Sequence, residues 1–192
     1  MGAGALVVFW VTGLCLTCAT DTPATSLEPA PATQRATQTS VPTGTSIGAR
    51  LPNVRFNALD GTPVRLEQLP KKPTVLYFPA VWCASCRYEV KELTEPKGQW
   101  GEKVSVVYVD TAPQTDTPQD VKSFAQDFGY PDFLWTLDNQ QAPAVIPLKV
   151  LGLGTVYVMD VERVVAFRGR YSIGTDEFKN GAIPLGNRGF LK

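Results

Sequence analysis

Histidine is absent from all 192 residues. That excludes Ser-His-Asp and Cys-His catalysis, His-ligated zinc and imidazole-built copper sites together. A surplus of either charge is missing too: 18 Lys and Arg face 18 Asp and Glu, for a formal net charge of zero. Nothing in that balance attracts a phosphate backbone, and nucleic acid is not an expected partner. The first 20 residues lack any charged side chain, and the next 30 have few large apolar ones. Length and a 44% hydrophobic content favour one globular domain.

Ala5, Leu6, Val7, Val8, Phe9, Trp10, Val11, Leu14 and Leu16 give residues 1–20 the character of a signal peptide or membrane anchor. Acidic Asp21 and Glu28 follow, without a cluster of Lys or Arg to hold the downstream chain inside. The remainder is therefore expected on the extracytoplasmic side, anchored to the cytoplasmic membrane. Cleavage, retention as an anchor and lipidation at Cys15 or Cys18 all remain open at this point, although Thr17 and Leu14 match a lipidation site poorly. Residues 21–46 are rich in Thr, Pro, Ala and Ser and are expected to form a disordered linker. Such a tether spans on the order of 30 Å. Residues 181–192 form a Gly- and Pro-punctuated tail, which leaves 47–180 as the domain.

Within it, Val54, Phe56 and Ala58, the Asp60-Gly61 turn, then Val64 and Leu66 alternate as in an edge hairpin. Thr74 to Phe78 and Val104 to Val109 are continuously apolar, as central strands covered on both faces by helices would be. A helix is expected from Ala84 to Glu95, stopped by Pro96. A second runs from Pro118 to Phe128, with Thr117 as N-cap, Asp120 as capping acid and Gly129 beyond its end. Thr155 to Met159 and Val164 to Arg168 form a strand pair around Asp160 to Arg163, followed by a short helix from Thr175 to Asn180. The order is an α/β sandwich with a mixed sheet.

The chemistry lies in Trp82-Cys83-Ala84-Ser85-Cys86, between a buried strand and a helix start. Free backbone N–H groups and the helix dipole stabilise a thiolate there, which makes Cys83 the candidate nucleophile. Cys86, one turn inward, is the candidate resolving thiol. Half of a zinc site and a purely structural disulfide are the alternatives. A four-cysteine zinc centre, though, needs Cys15 and Cys18 to fold onto the domain. Trp100 and Trp135 read as packing residues, and Asp116, Asp120 and Asp127 as solvated acids without calcium-loop spacing.

Tyr77-Phe78-Pro79-Ala80-Val81-Trp82-Cys83-Ala84-Ser85-Cys86-Arg87-Tyr88-Glu89, preceded by Leu59-Asp60-Gly61 and Val64-Arg65-Leu66, resembles the membrane-tethered thioredoxin-like proteins of the TlpA, ResA and CcmG type. The resemblance covers about Gly48 to Arg170. It implies a thioredoxin-like fold with an N-terminal β-hairpin. It also implies an extracytoplasmic thiol-disulfide oxidoreductase acting on disulfides or Cys pairs of specific proteins in cytochrome c or copper-oxidase assembly, fed by a transmembrane thiol reductant.

Glu89 matches that family's acidic residue, and the resemblance implies a proton-handling role for it. The bland alternative is a solvated helix glutamate paired with Lys91 or Arg87. Trp82 is expected to pack over Cys83. Gly154, just before Thr155, stands in the slot of the family's cis-proline loop, so Trp82, Gly154 and Thr155 are the expected substrate-facing positions. Glycine there is expected to leave room and a free N–H beside the sulfurs. That keeps a Cu(I)-carrying module as the rival function. No cofactor is expected. A peroxidase would need Thr or Ser shortly before Cys83, and Pro79-Ala80-Val81-Trp82 supplies none.

Overall fold

A computed structural model describes residues 40–170, 173–176 and 178. The expected anchor, residues 21–39 of the linker, half of the 175–180 helix and the 181–192 tail lie outside the described residues. No helix among the described residues is long and apolar enough to cross a membrane.

The elements are β1 (Arg55–Ala58), β2 (Pro63–Arg65), β3 (Thr74–Phe78), α1 (Ala84–Trp100), β4 (Ser105–Asp110), α2 (Pro118–Gln126), β5 (Leu134–Asp138), β6 (Thr155–Met159) and β7 (Val165–Arg170). They form one seven-stranded sheet in the order β2-β1-β5-β4-β3-β6-β7. β3, β4 and β5 run parallel, and the other pairings are antiparallel. This is the α/β sandwich with a mixed sheet that the pattern of runs implied, and the thioredoxin-like fold that the resemblance implied.

The continuous apolar runs of β3 and β4 arise because both faces of the sheet are covered. Alternate side chains separate into two cores. Val75, Tyr77, Val106 and Tyr108 join Cys86, Val90 and Leu93 of α1 and Val121, Phe124 and Ala125 of α2. Leu76, Phe78, Val107 and Val109 join Leu51, Val54, Leu66, Ala144 and Leu148 on the other side. Both described α-helices thus cover one face, while extended and turn segments cover the other.

Three local outcomes differ from expectation. Leu134–Asp138 forms a strand beside β1 and β4 that the sequence reading passed over. Trp135 and Leu137 supply its buried alternation, and the Thr136 hydroxyl donates to the Tyr108 carbonyl at 2.8 Å. Pro96 does not stop α1, which continues to Trp100. The lost backbone hydrogen bond falls near the helix end, where Lys97 Nζ donates to the Gly101 carbonyl (2.7 Å) and Asp132 (2.8 Å) and secures the last turn. Among the described residues, backbone hydrogen bonding reaches ahead of Ile47, where the Pro42 carbonyl accepts from Arg50 N–H at 2.8 Å. The α2 N-terminus is a reciprocal capping box between Thr117 and Asp120.

Arg163, in the β6–β7 turn, has φ of 67°, a left-handed conformation that favours glycine. Its guanidinium is buried and donates to the carbonyls of Leu69 (2.5 Å) and Pro70 (3.1 Å), which ties the turn to the entry of β3. Replacing Arg163 with Ala removes those bonds and keeps the strain, so a loss of about 1 to 3 kcal/mol is expected in denaturant unfolding. Arg163→Gly loses the same bonds and relieves the strain, and is expected to be the more stable variant by about 1 kcal/mol. Equal stability of the two variants contradicts a strained turn.

Candidate functional site

β3 ends at Phe78, and the chain turns through 79–82 into α1. Pro79 closes the strand with its carbonyl, which accepts from both the N–H (2.9 Å) and the hydroxyl (3.0 Å) of Thr111 just after β4. Cys83 N–H then donates to the Ala80 carbonyl at 3.1 Å, and Cys83 becomes the N-cap of α1. The cysteine spacing therefore places both sulfurs on the first helical turn. Cys83 and Cys86 are joined in a disulfide with a Cα–Cα distance of 5.2 Å.

The Cys83 sulfur accepts the Cys86 N–H at 3.2 Å and lies 3.4 Å from the Ser85 hydroxyl. After reduction, these donors and the helix dipole favour an anionic sulfur at Cys83. Ser85 was not singled out in the sequence. Its signal is the position of a hydroxyl two residues beyond a capping sulfur. Cys83 is 6% exposed and Cys86 fully buried, whereas the neighbouring Trp82 is 63% exposed. The Trp82 ring therefore stands out from the surface beside the disulfide.

Gly154 precedes β6 with φ of 76° and donates its N–H to the Phe78 carbonyl at 3.0 Å. The expected free N–H is thus absent: the sheet ladder between β3 and β6 extends one step and consumes it. Thr155 is buried and turns its hydroxyl to the Gly152 carbonyl at 2.7 Å. Gly154 and Thr155 are joined to the end of the strand that leads into the cysteines.

Glu89 is buried on the inner stripe of α1 with Cys86, Val90 and Leu93. Its carboxyl accepts from the Tyr77 hydroxyl at 2.5 Å, and Tyr77 also reaches the Cys86 carbonyl at 3.4 Å. Burial pushes the Glu89 pKa up against the opposing effect of the Tyr77 hydrogen bond. The solvated alternative, with Lys91 or Arg87 as partner, does not hold: Glu89 is only 4% exposed, and Arg87 pairs with Asp127 at 2.8 Å.

A second acidic group was misread in the sequence. Asp116 is buried rather than solvated, and with the fully buried Asp110 it approaches the active loop. Val81 N–H donates to Asp110 (3.1 Å) and Asp116 (3.4 Å). Burial pushes Asp110 up to about 7, helped by the neighbouring Asp116 and opposed by backbone N–H donors. Asp120 and Asp127 are exposed, as expected. Trp135 is buried in an aromatic cluster with Tyr108, Phe124 and Phe133. No group of three or more Cys, His, Asp or Glu suited to a metal ion occurs among the described residues.

These raised carboxyls set the pH dependence of stability. Glu89, Asp110 and Asp138 each hold a proton more tightly in the folded chain, with burial the leading cause in all three. Their contribution is full below the unfolded carboxyl range and is lost as pH rises through the folded values. The thermal midpoint of the oxidised protein is expected to fall between pH 5 and pH 8, and Glu89→Gln to make that fall shallower. A midpoint that is flat or rises over this range contradicts the assignment.

Comparison with known proteins agrees with this geometry. The AhpC/TSA family model matches residues 47–168. The Bacillus subtilis thioredoxin-like protein YneN is 25% identical over 122 residues, which cover 64% of this chain and 70% of YneN. A candidate protein disulfide isomerase from Bacteroides thetaiotaomicron superposes with a TM-score of 0.61 at 21% identity, covering 77% of this chain and 92% of the other. Copper-bound ScoI of Arabidopsis thaliana superposes with a TM-score of 0.60 at 20% identity, covering 73% and 99%. At these identities the solved structures speak for the fold. The family match spans the hairpin, the cysteine pair and the sheet through β6, and the chain belongs to the thioredoxin-like AhpC/TSA family.

Proposed function

We propose that this protein is an extracytoplasmic, membrane-tethered thiol-disulfide oxidoreductase that reduces disulfides of a narrow set of proteins, of the TlpA, ResA and CcmG type. The observation that carries the reading is the Cys83–Cys86 disulfide at the first turn of α1, with the Cys83 sulfur as the helix N-cap. In the reduced protein the Cys83 thiolate attacks a substrate disulfide, forming a mixed disulfide and expelling one substrate thiolate. Cys86 then attacks the Cys83 sulfur, expels the second substrate thiolate and restores the disulfide, so two electrons pass to the substrate. A thiol reductant from the membrane side returns them.

Glu89 takes the proton that Cys86 must lose. Its position on the same helical stripe as Cys86, bonded to a Tyr77 hydroxyl that also reaches the Cys86 carbonyl, supports this role. The exposed Trp82 ring beside the disulfide offers the surface for a polypeptide substrate; Gly154 and Thr155, expected to face the substrate, are buried and secure the end of β6 against Phe78. The apolar residues 5–11 and the Thr- and Pro-rich stretch after them support tethering. Cytochrome c or copper-oxidase assembly is the setting this resemblance implies.

Carriage of Cu(I) by the same cysteines is the rival. The chain contains no histidine, and among the described residues no third ligand joins the two sulfurs in a metal-holding group. Peroxidase chemistry is disfavoured because no Thr or Ser stands among the four residues before Cys83.

Cys86→Ser is expected to accumulate mixed disulfides between Cys83 and protein substrates, detectable as reductant-sensitive adducts, and Cys83→Ser to accumulate none. Glu89→Gln is expected to slow resolution on the order of 10²-fold with Cys83 attack little changed. Absence of adducts from Cys86→Ser, with tight Cu(I) retention by the reduced wild type, favours the carrier instead.

A further inference from the structure

The turn that delivers Cys83 is attached to the end of β4 by more than packing. Pro79 is held through its carbonyl by Thr111, and two residues later Val81 N–H meets two carboxyl groups at once. Asp110 spends its other oxygen on Ala112 N–H at 2.9 Å, and Asp116 receives the Thr115 hydroxyl at 3.1 Å. A single N–H is a poor partner for two full negative charges in a buried setting, since like charges this close disfavour joint ionisation. The arrangement is stable when the pair keeps one proton between its oxygens.

The surroundings supply little counter-charge. Tyr108, on the same strand, carries a buried hydroxyl close to Asp110, and its own ionisation is opposed by burial and then by the charges of Asp110 and Asp116. Arg87 of α1 acts on Tyr108 from the helix side, yet its guanidinium is paired with Asp127. Asp116 also borders a cleft of about 500 Å³ that it shares with Arg55 of β1 and Asp138 of β5. Asp138 is held by the N–H groups of Asn139, Ala144 and Val145. The cleft gives the pair a route by which protons reach solvent.

We propose that Asp110 and Asp116 form a proton-sharing positioning pair for the redox centre: by gripping Val81 N–H together they fix the 79–83 turn, and loss of the shared proton loosens that grip and shifts the dithiol-disulfide equilibrium of Cys83 and Cys86. The proposal rests on the oxidoreductase reading for its second half only. The pair acts through Val81 and touches neither sulfur. It is separate from Glu89, which lies on α1 with Tyr77 as its partner.

The test uses the full chain. The Val81 amide resonance is followed by NMR in the oxidised protein from pH 5.5 to 8.5. The equilibrium constant for exchange with glutathione is measured over the same range in wild type and Asp116→Asn, so that the proton change on the Cys83 thiol, common to both, drops out of the comparison. Wild type is expected to show a Val81 titration near neutral pH and a several-fold change in the exchange constant beyond that of Asp116→Asn. Asp116→Asn and the second variant Asp110→Asn, each leaving one carboxyl without its charged neighbour, are expected to move the Val81 titration to lower pH while remaining folded, and Glu89→Gln to leave it unchanged. A Val81 resonance that is flat in wild type, or that titrates identically in Asp116→Asn, overturns the pair. Normal exchange with superimposable pH profiles in wild type and Asp116→Asn overturns its influence on the cysteines alone. A wild-type disulfide that never exchanges sinks the oxidoreductase reading together with that influence.

Discussion

The capping of α1 by a sulfur atom is the interaction on which the rest of this structure depends. A helix N-terminus exposes backbone N–H groups that need acceptors, and here Cys83 supplies one in place of the usual hydroxyl or carboxylate. Local folding and redox chemistry therefore use the same atom. The sulfur must sit where the helix needs it, and the helix start in turn makes that sulfur a better anion. Everything upstream serves to deliver the cap: β3 in the centre of the sheet, Pro79 bound by Thr111, and Val81 bound by Asp110 and Asp116.

Beneath that turn the sheet is unusually polar for its depth. Tyr77 and Tyr108 are opposed in the parallel ladder between β3 and β4, with ring centroids 6.3 Å apart, and each lies near a buried acid. Glu89 faces Tyr77 from α1, and Asp110 follows Tyr108 on its own strand. Buried carboxyls lower stability at neutral pH relative to acid, and proteins retain such groups most readily where function requires proton movement. Disulfide reduction moves protons as well as electrons, so carboxyls on two sides of a redox pair have a chemical reason to be there.

The parts of this design that the sequence made legible are those specified locally. Continuous apolar runs identified β3 and β4, Thr117 with Pro118 and Asp120 identified the start of α2, and the cysteine spacing next to a strand end located the disulfide. What escaped was specified by distant partners. Glu89 was named through the family resemblance, but its burial, which separates it from a solvated helix glutamate, depends on Tyr77, twelve positions away on another element. Asp116 looks solvated until β4 brings Asp110 and the active loop beside it. β5 is five residues long, begins with the exposed Leu134, and gains its identity from the β1 and β4 neighbours it pairs with. The fate of Gly154 N–H likewise depended on the Phe78 carbonyl, which no local pattern could place.

The most direct test of the central claim is the reduction potential of the Cys83–Cys86 pair in the full chain, equilibrated in glutathione buffers and scored by alkylation mass. The account predicts a reversible two-electron transition near or below about −220 mV, the range of reducing thioredoxin-like proteins. A potential near about −120 mV contradicts the proposed direction of electron flow. Failure to form any reversible disulfide contradicts the oxidoreductase itself.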